Sequence, residues 1–371
     1  MSWYLPAPRA GFAYQLTRDA GTVIKANVGR YWWNPDVNVA SSVNSNIATG
    51  YERYTWTDRN SDRTWQPGEQ GNLIARVGGA GLTLDPNLKN SYTDELATWL
   101  DHELLPNFGL RTGFVWRGQR QLRQTINVLR PITGYTVPVS VRDPGPDGAL
   151  NTTDDGEVLT LYNLAPEFVG RVQNLVMNVP SKNDFYTWEL TANRRMVNRW
   201  SLMASYSFTW NRENASSPGA AANPVRAADS PLSPNDLLHT ENGRYHHTLW
   251  NFKLHTVMDG PWQLKFSPLV RSQAGQAFGR TFVAGLNYGS QRILAEPLGA
   301  QRQDVVTVVD ARVERIFRLP RSTRLSTRVD IYNLMNTNAE DFITWASGAS
   351  YLYPNSIVPP RIVRFGLKFD W

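Results

Sequence analysis

The sequence predicts an all-β fold, an antiparallel transmembrane β-barrel, from three observations. The chain ends on a strand with alternating apolar residues, and a central strand carries tryptophan at both ends. Short turns and long polar segments alternate along the chain. Barrels of the outer membrane have half-apolar strands, aromatic girdles, short turns on one side and long loops on the other.

The last strand carries the first of these signals. Apolar side chains occupy alternate positions, at Val363, Phe365, Leu367, Phe369 and Trp371. Polar or small residues lie between them, at Arg364, Gly366, Lys368 and Asp370. The spacing of Arg364, Gly366, Phe369 and Trp371 resembles the terminal signal read by the outer-membrane barrel assembly machinery, which is therefore an expected partner. The alternative interpretation is an edge strand of a soluble sheet.

The central strand carries the second signal. Between Trp200 and Trp210, the even positions are apolar and most odd positions are polar. Ten steps of ~3.3 Å give about 33 Å, and a tilt of ~40° reduces this to the ~25 Å height of the apolar band. The sequence thus predicts that Trp200 and Trp210 lie at the two interfaces with outer-membrane lipid, and Trp250 and Trp262 are assigned to the same interfaces.

The same pattern recurs and predicts about eleven spanning strands. They lie near residues 10–16, 22–33, 91–105, 109–124, 185–196, 199–211, 244–258, 262–274, 302–317, 323–334 and 361–371. Five long polar segments, 34–90, 125–184, 212–243, 275–301 and 335–360, are predicted to be extracellular loops.

An odd number of strands has a consequence for closure. The first and last strands run in the same direction and cannot pair antiparallel with each other, although a further strand hidden in a loop would change the parity. Eleven is half of the 22 strands of the plugged transporters.

Composition excludes several classes of protein. Hydrophobic residues make up 41% of the 371 residues, and no apolar run approaches the ~20 residues of a spanning helix. There is no cysteine, which excludes disulfides and thiolate metal sites. The net charge of +6 is interspersed rather than clustered, so no nucleic-acid partner is expected. Residues 1–8 lack the basic and apolar regions of a signal peptide.

Several segments resemble TonB-dependent receptors, most closely the Oar-like subgroup. They are residues 7–14, 85–95, 162–164 and 358–366. The resemblance implies a 22-stranded barrel in the outer membrane of a Gram-negative cell, filled by a plug domain that contacts the TonB complex. We expect residues 1–371 to be the C-terminal part of such a barrel, with plug domain and signal peptide absent. Contact with the TonB complex would then need the missing plug, and the solute is unknown.

Two acidic segments are candidate calcium loops. In residues 58–69, the side chains of Asp58, Asn60, Asp62 and Glu69 have calcium-loop spacing, although Arg63 stands where glycine usually permits the turn. Asp147, Asp154 and Asp155, with Asn151, form a weaker set. The alternative for both is a series of polar turns. Calcium is the one cofactor considered.

Catalysis is not predicted. His247 and His255 are eight residues apart on one strand, and no nucleophile signature accompanies them. The charged residues Asp310, Arg312, Glu314, Arg328 and Asp330 are predicted to face the lumen and to form cross-strand ion pairs rather than a solute path. The rival functions are a self-contained porin-like channel and a surface β-rich binding protein with a sandwich core. An outer-membrane enzyme is a more distant alternative.

Overall fold

The computed structural model describes residues 3–19, 21–34, 51–77, 82–180, 182–214, 232–241, 244–320 and 323–371. The strands within these ranges are β1 (Arg9–Gln15), β2 (Thr22–Trp32), β3 (Tyr51–Trp56), β4 (Gln70–Val77), β5 (Leu82–Leu84), β6 (Tyr92–Leu105), β7 (Phe108–Arg120), β8 (Arg123–Asn127), β9 (Val137–Arg142), β10 (Val158–Asn163), β11 (Asn174–Asn178), β12 (Asn183–Val197), β13 (Trp200–Asn214), β14 (Arg244–Asp259), β15 (Leu264–Gln273), β16 (Ala277–Phe278), β17 (Thr281–Leu286), β18 (Gly289–Leu294), β19 (Gln301–Arg302), β20 (Val306–Arg318), β21 (Arg324–Tyr332), β22 (Glu340–Ile343), β23 (Pro354–Ile357) and β24 (Ile362–Asp370).

Helical structure in the described ranges is limited to short 3-10 turns. They are Ile132–Gly134, Pro166–Phe168, Pro234–Leu237 and Pro261–Gln263. No helix of the described chain has the length and apolar character needed to cross a membrane.

Eleven of the strands form one continuous antiparallel sheet, which we call the wall. Its order is β1-β2-β6-β7-β12-β13-β14-β15-β20-β21-β24. The predicted all-β fold and the eleven predicted spanning strands are confirmed, with boundaries that agree to within about four residues. Alternating apolar and polar residues favour strands because successive side chains point to opposite faces.

The register places apolar residues of adjacent strands on one face of the wall. Trp210 lies opposite Tyr186 on one side and Thr248 on the other, while Phe208 lies between Trp188 and Trp250. In the described ranges no second sheet covers this face, and Trp210 remains 44% exposed. A sandwich core would bury these side chains, so the architecture is that of a barrel wall.

The two edges of the wall remain open. β1 pairs only with β2, and β24 pairs only with β21 within the described chain. Because β1 and β24 are the first and last of eleven antiparallel strands, they run in the same direction. The sheet is therefore a partial barrel, and an odd number of additional strands is needed to close it in antiparallel fashion.

The long connections all leave the same edge of the wall and are not simple loops. They contain thirteen of the described strands, arranged as small antiparallel or mixed sheets. Most of the fully buried apolar side chains belong to these connections, including Leu161, Phe282 and Ile293. The long segments predicted as loops thus contain short strands of their own, whose apolar residues pack against one another.

Candidate functional site

Two hairpins from different connections pack face to face above the wall. Alternate residues of β9–β10 and β17–β18 point into a shared core, with Leu161 fully buried, Ile293 1% exposed and Phe282 3% exposed. Burying each such side chain contributes about 1.5–3 kcal/mol. We call β9, β10, β17, β18 and the adjoining residues 232–238 the loop cap.

Asn235 joins a third connection to the cap. Its carboxamide Oδ1 accepts the backbone N–H of Tyr162 at 2.8 Å, and its Nδ2 donates to the Tyr162 carbonyl at 3.0 Å. Asn235 thus extends the edge of β10 as a neighbouring strand would. Its Nδ2 also lies 2.9 Å from the hydroxyl of Tyr288, and burial raises the pKa of this phenol to about 12. The phenol therefore stays protonated at neutral pH.

A buried ion pair closes the cap against a fourth connection. The Arg280 guanidinium donates to both carboxylate oxygens of Asp143, at 2.7 and 2.5 Å, and to the Ser347 hydroxyl at 2.8 Å. The side chains of Arg280 and Asp143 are only 10% and 3% exposed. The Asp143 carboxylate raises the pKa of Arg280 further, so the guanidinium is charged throughout. Four long connections are thereby fixed to one another.

An aromatic cluster reinforces this contact. The rings of Phe278 and Trp345 stack with centroids 5.5 Å apart, and both side chains are buried together with Ile343. The backbone N–H of Thr281 donates to the Trp345 carbonyl at 2.9 Å. A pair of stacked rings contributes ~0.5–1.5 kcal/mol beyond its buried area. The cap is therefore a packed unit rather than a set of independent loops.

The polar face of the wall carries ladders of ion pairs. Asp101 accepts from Lys25 at 2.7 Å and from Arg111 at 2.5 Å. Asp330 on β21 pairs with Arg312 on β20 and with Arg364 on β24, the two strands that flank β21. The prediction of cross-strand ion pairs is confirmed for Asp310, Arg312 and Asp330, since Arg271 pairs with Asp310 at 2.7 Å.

A cavity of about 690 Å³ lies on the same polar face, near the edge from which the long connections leave. Tyr31 and Phe185 contribute aromatic rings to its lining, and Thr93 contributes a hydroxyl. Glu95 and Arg117 also line the cavity and form an ion pair, with Nε of Arg117 2.6 Å from Oε2 of Glu95. Rings, hydroxyls and paired charges can contact a polar solute from several directions. Together with the cap, this cavity forms the candidate solute-binding surface.

The first predicted calcium loop closes the hairpin of β3 and β4. Glu69 is 5% exposed and accepts hydrogen bonds from the Trp56 indole at 3.0 Å and from the Arg59 and Gln66 backbone N–H groups at 3.1 Å. These donors, the indole foremost, lower the pKa of Glu69 from its ordinary 4.5. The carboxylate is already the centre of the loop's own hydrogen bonds.

The other candidate ligands of this loop lie close by. Asp58 accepts the Arg63 backbone N–H at 2.9 Å, and Asp62 accepts the Thr64 N–H at 2.7 Å. Asn60 donates to Asp62 at 2.9 Å. Arg63 adopts a left-handed φ of 61°, so the turn that usually needs glycine is made by arginine. Calcium binding at Asp58, Asn60, Asp62 and Glu69 stays a prediction.

The second predicted calcium loop is part of the structure that holds the cap. Asp154 accepts from the Thr152 hydroxyl at 2.6 Å, which lowers the pKa of its carboxyl, and Asp155 accepts the Asn151 N–H at 2.9 Å. Asp147 accepts the Ala149 N–H at 2.8 Å. In the described ranges, no group of three or more His, Asp or Glu side chains is placed to hold a metal. The calcium assignment here also stays a prediction.

The predicted interface residues lie on β13, on β14 and in the turn that follows β14. Trp200 is the first residue of β13, and Trp210 lies four residues before its end. Both side chains lie on one face of the wall, and Trp250 lies on the same face. Trp262 lies in a short turn, 76% exposed. Their contact with lipid stays a prediction.

The C-terminal signal lies on edge strand β24. Phe369 stacks with Trp371 at 6.1 Å, and Arg364 pairs with Asp330. A Cβ at Gly366 would lie 2.5 Å from Nε of Arg328, so a larger residue there would require the Arg328 side chain to shift. Recognition of these residues by the assembly machinery stays a prediction.

Sequence reasoning missed the cap residues Asp143, Arg280 and Asn235. The local signal was present, since Val137, Val139 and Val141 alternate with other residues in β9. The pairing was not visible, because Asp143 and Arg280 are 137 residues apart.

Comparison with known proteins places the chain among outer-membrane barrels. A family model for the outer membrane beta barrel domain matches residues 2–288. A search of curated proteins found no match.

Similar solved structures include the outer membrane transporter YddB from Escherichia coli (12% identity, TM-score 0.46), the ferripyoverdine receptor of the Pseudomonas aeruginosa outer membrane (10%, 0.48) and the FrpB iron transporter from Neisseria meningitidis (11%, 0.47). The matches cover 96%, 97% and 97% of this chain but only 39%, 32% and 38% of those chains.

Proposed function

Because the chain belongs to the outer membrane beta barrel domain family, we propose that it forms part of the wall of a TonB-dependent receptor and carries the extracellular loops that capture its solute. The chain resides in the cell outer membrane as its family does. The observation that carries the proposal is the open wall of eleven strands with a packed cap on one edge.

Strand polarity supports the receptor over a self-contained channel. β1 and β24 run in the same direction, so a porin-like barrel made by these eleven strands alone has no antiparallel seam. Eleven further strands that begin and end in the opposite direction complete a 22-stranded barrel. The TonB complex would act through a plug domain inside that barrel, and the barrel assembly machinery would insert it.

The cap supports solute capture. Loops that merely cover a barrel need no core of their own, whereas a binding surface benefits from rigid support. Four connections fixed by Asp143, Arg280 and Asn235 present such a surface at the edge of the wall near which the cavity lined by Tyr31 and Phe185 also lies. The proposed role is binding and transport rather than catalysis.

The absence of cysteine from the chain permits a clean test of orientation. A single cysteine is introduced at Leu150, which is 55% exposed beside the cap, or at Asn107 in a short turn. In intact cells a membrane-impermeant maleimide should label Leu150→Cys and leave Asn107→Cys unlabelled. The opposite pattern contradicts the assignment of the cap to the cell exterior.

Solute capture is tested with protein purified from native outer membranes. Small molecules released from the wild type are compared by mass spectrometry with those released from Ile293→Asp, which disrupts the cap core. A solute released by the wild type alone supports capture by the cap. Identical profiles refute it, provided that both proteins show the same heat-modifiable migration.

We further propose that the loop 58–69 binds calcium, which would stiffen the β3–β4 hairpin. Calcium should slow proteolysis within this loop in the wild type and have no effect in Asp58→Ala/Glu69→Ala. Equal cleavage of the wild type with and without calcium refutes the proposal.

A further inference from the structure

The cavity lined by Tyr31 and Phe185, which we call the wall cavity, is formed by one face of the wall. Its lining residues come from five adjacent strands, β2, β6, β7, β12 and β13. Tyr31 lies directly opposite Thr93, and Thr187 lies directly opposite Val115. Residues that face each other across adjacent strands point to the same side of a sheet. The register places all the lining residues on the polar face of the wall, so a bound solute contacts that face alone.

The charges of this lining compensate each other. Glu95 and Arg117 are its two charged residues, and Nε of Arg117 donates to Oε2 of Glu95 at 2.6 Å. The side chain of Glu95 is 17% exposed and that of Arg117 is 58% exposed. An ionic solute would compete with this pair and leave one of its partners uncompensated, which is costly. A formally neutral lining therefore favours a neutral solute.

The two aromatic rings lie at opposite sides of the cavity. Tyr31 is on β2 and Phe185 is on β12, three strand spacings away in the order of the wall. At ~4.8 Å per spacing, about 14 Å of the wall separates the two residues. The Arg9 guanidinium lies over the Tyr31 ring, 4.5 Å from its centroid, and is not part of the lining. Rings this far apart suit an extended solute with more than one apolar surface.

Neutral polar groups line the cavity between and beside the rings. The hydroxyls of Thr187 and Thr209 lie 3.0 Å apart and form a hydrogen bond. Oε1 of Gln119 accepts a hydrogen bond from Nδ2 of Asn183 at 3.0 Å. A carboxamide also carries two N–H donors, and a hydroxyl both donates and accepts. The lining therefore offers donors and acceptors to a solute that itself has both.

We propose that the wall cavity binds a neutral oligosaccharide. A sugar ring has apolar C–H faces, which pack against aromatic rings, and a rim of hydroxyls, which pair with amide, hydroxyl and carboxylate groups. A purely apolar solute would leave the polar groups of Gln119 and the threonines unpaired, which costs free energy. The separation of Tyr31 and Phe185 favours a chain of sugar rings over a single ring. This inference rests on the proposed function, capture of a solute, and names the class of that solute.

The test uses the full chain purified from native outer membranes in a detergent without sugar headgroups. The immobilised protein is incubated separately with short neutral oligosaccharides from starch, cellulose, mannan and galactan, with oligogalacturonates from pectin, and with tryptic peptides of albumin. Retained molecules are identified by mass spectrometry, and the affinity of the best-retained one is then measured. The variants are Phe185→Ala and Phe185→Tyr. Tyr186→Ala is the matched control, because Tyr186 is the next residue of β12 and lies on the opposite face.

We expect the wild type and Tyr186→Ala to retain neutral oligosaccharides equally. Phe185→Ala should weaken this binding about tenfold, which corresponds to ~1.4 kcal/mol, because the ring face against the sugar is lost. Phe185→Tyr should bind within a few-fold of the wild type. Equal binding by the wild type and Phe185→Ala overturns the proposal, as does preferential retention of oligogalacturonates or peptides by the wild type.

These outcomes distinguish a wrong solute class from a failure of solute capture. If the wild type retains peptides or oligogalacturonates and Phe185→Ala does not, capture stands and the assignment to oligosaccharides is wrong. If the wild type retains nothing, that assignment is also wrong, and the comparison of released solutes with Ile293→Asp decides on capture independently.

A misfolded variant does not block the test. If Phe185→Ala loses heat-modifiable migration, Phe185→Leu replaces it, because leucine keeps an apolar side chain but has no flat ring. Phe185→Leu should then bind neutral oligosaccharides more weakly than Phe185→Tyr. Equal affinities of these two variants refute the role of the ring.

Discussion

Replacement of Arg280 by glutamine should loosen the loop cap without disturbing the wall. The substitution leaves the Asp143 carboxylate, whose side chain is 3% exposed, without its cationic partner. Removing one partner of a buried ion pair costs about 3–5 kcal/mol. Each 1.36 kcal/mol is a factor of ten, so opening of the cap should become roughly a hundred- to several-thousandfold more frequent.

Hydrogen exchange followed by mass spectrometry measures this effect segment by segment. Peptides from β9, β10, β17 and β18 should lose protection in Arg280→Gln, while peptides from β13 should not change. Arg142→Gln is the matched control, because Arg142 is an exposed arginine of β9 whose guanidinium donates to the Gly156 carbonyl at 3.3 Å rather than to a buried carboxylate. The double variant Asp143→Asn/Arg280→Gln should recover part of the protection, since no charge is left buried. Equal loss of protection in Arg280→Gln and Arg142→Gln refutes the reasoning.

Three further outcomes are expected. Ile293→Ala should destabilise the cap by about 2–5 kcal/mol, because it opens a cavity in the core. Val283→Ala, at a 58% exposed position, should change stability by less than about 0.5 kcal/mol. Urea-dependent proteolysis of the cap compares the two variants. Because the pKa of Glu69 is lowered in the folded loop, its ionised carboxylate stabilises the loop 58–69 at pH values above the ordinary pKa of 4.5. This stabilisation is lost as the pH falls through the folded pKa. Cleavage of the loop by an acid-active protease should therefore rise over this range in the wild type and stay constant in Glu69→Gln. Gly366→Ala should reduce the folded, heat-modifiable fraction because its Cβ meets Arg328, and Gly366→Ala/Arg328→Ala should restore it; no rescue would show that the fault lies elsewhere.

The sequence by itself determined the wall. Alternation between Trp200 and Trp210 is a local property of the backbone, since neighbouring side chains of a strand point to opposite faces. The short turns then fix antiparallel order, and the register follows from keeping the apolar positions on one face. For the same reason the ion pair of Arg312 with Asp330 was predictable once the strands were placed.

Only the tertiary structure decided the site. Leu161 and Phe282 are too far apart in sequence for their contact to leave a local pattern, and the same holds for Asp143 and Arg280. The short alternation of apolar and polar residues in β9 and in β10 predicts strands, but it does not specify which other strand each of them pairs or packs with. The chosen partner depends on which connections meet above the wall, and that is set by the curvature and order of the eleven strands. The cap and the wall cavity are therefore consequences of long-range packing that the linear pattern does not encode locally.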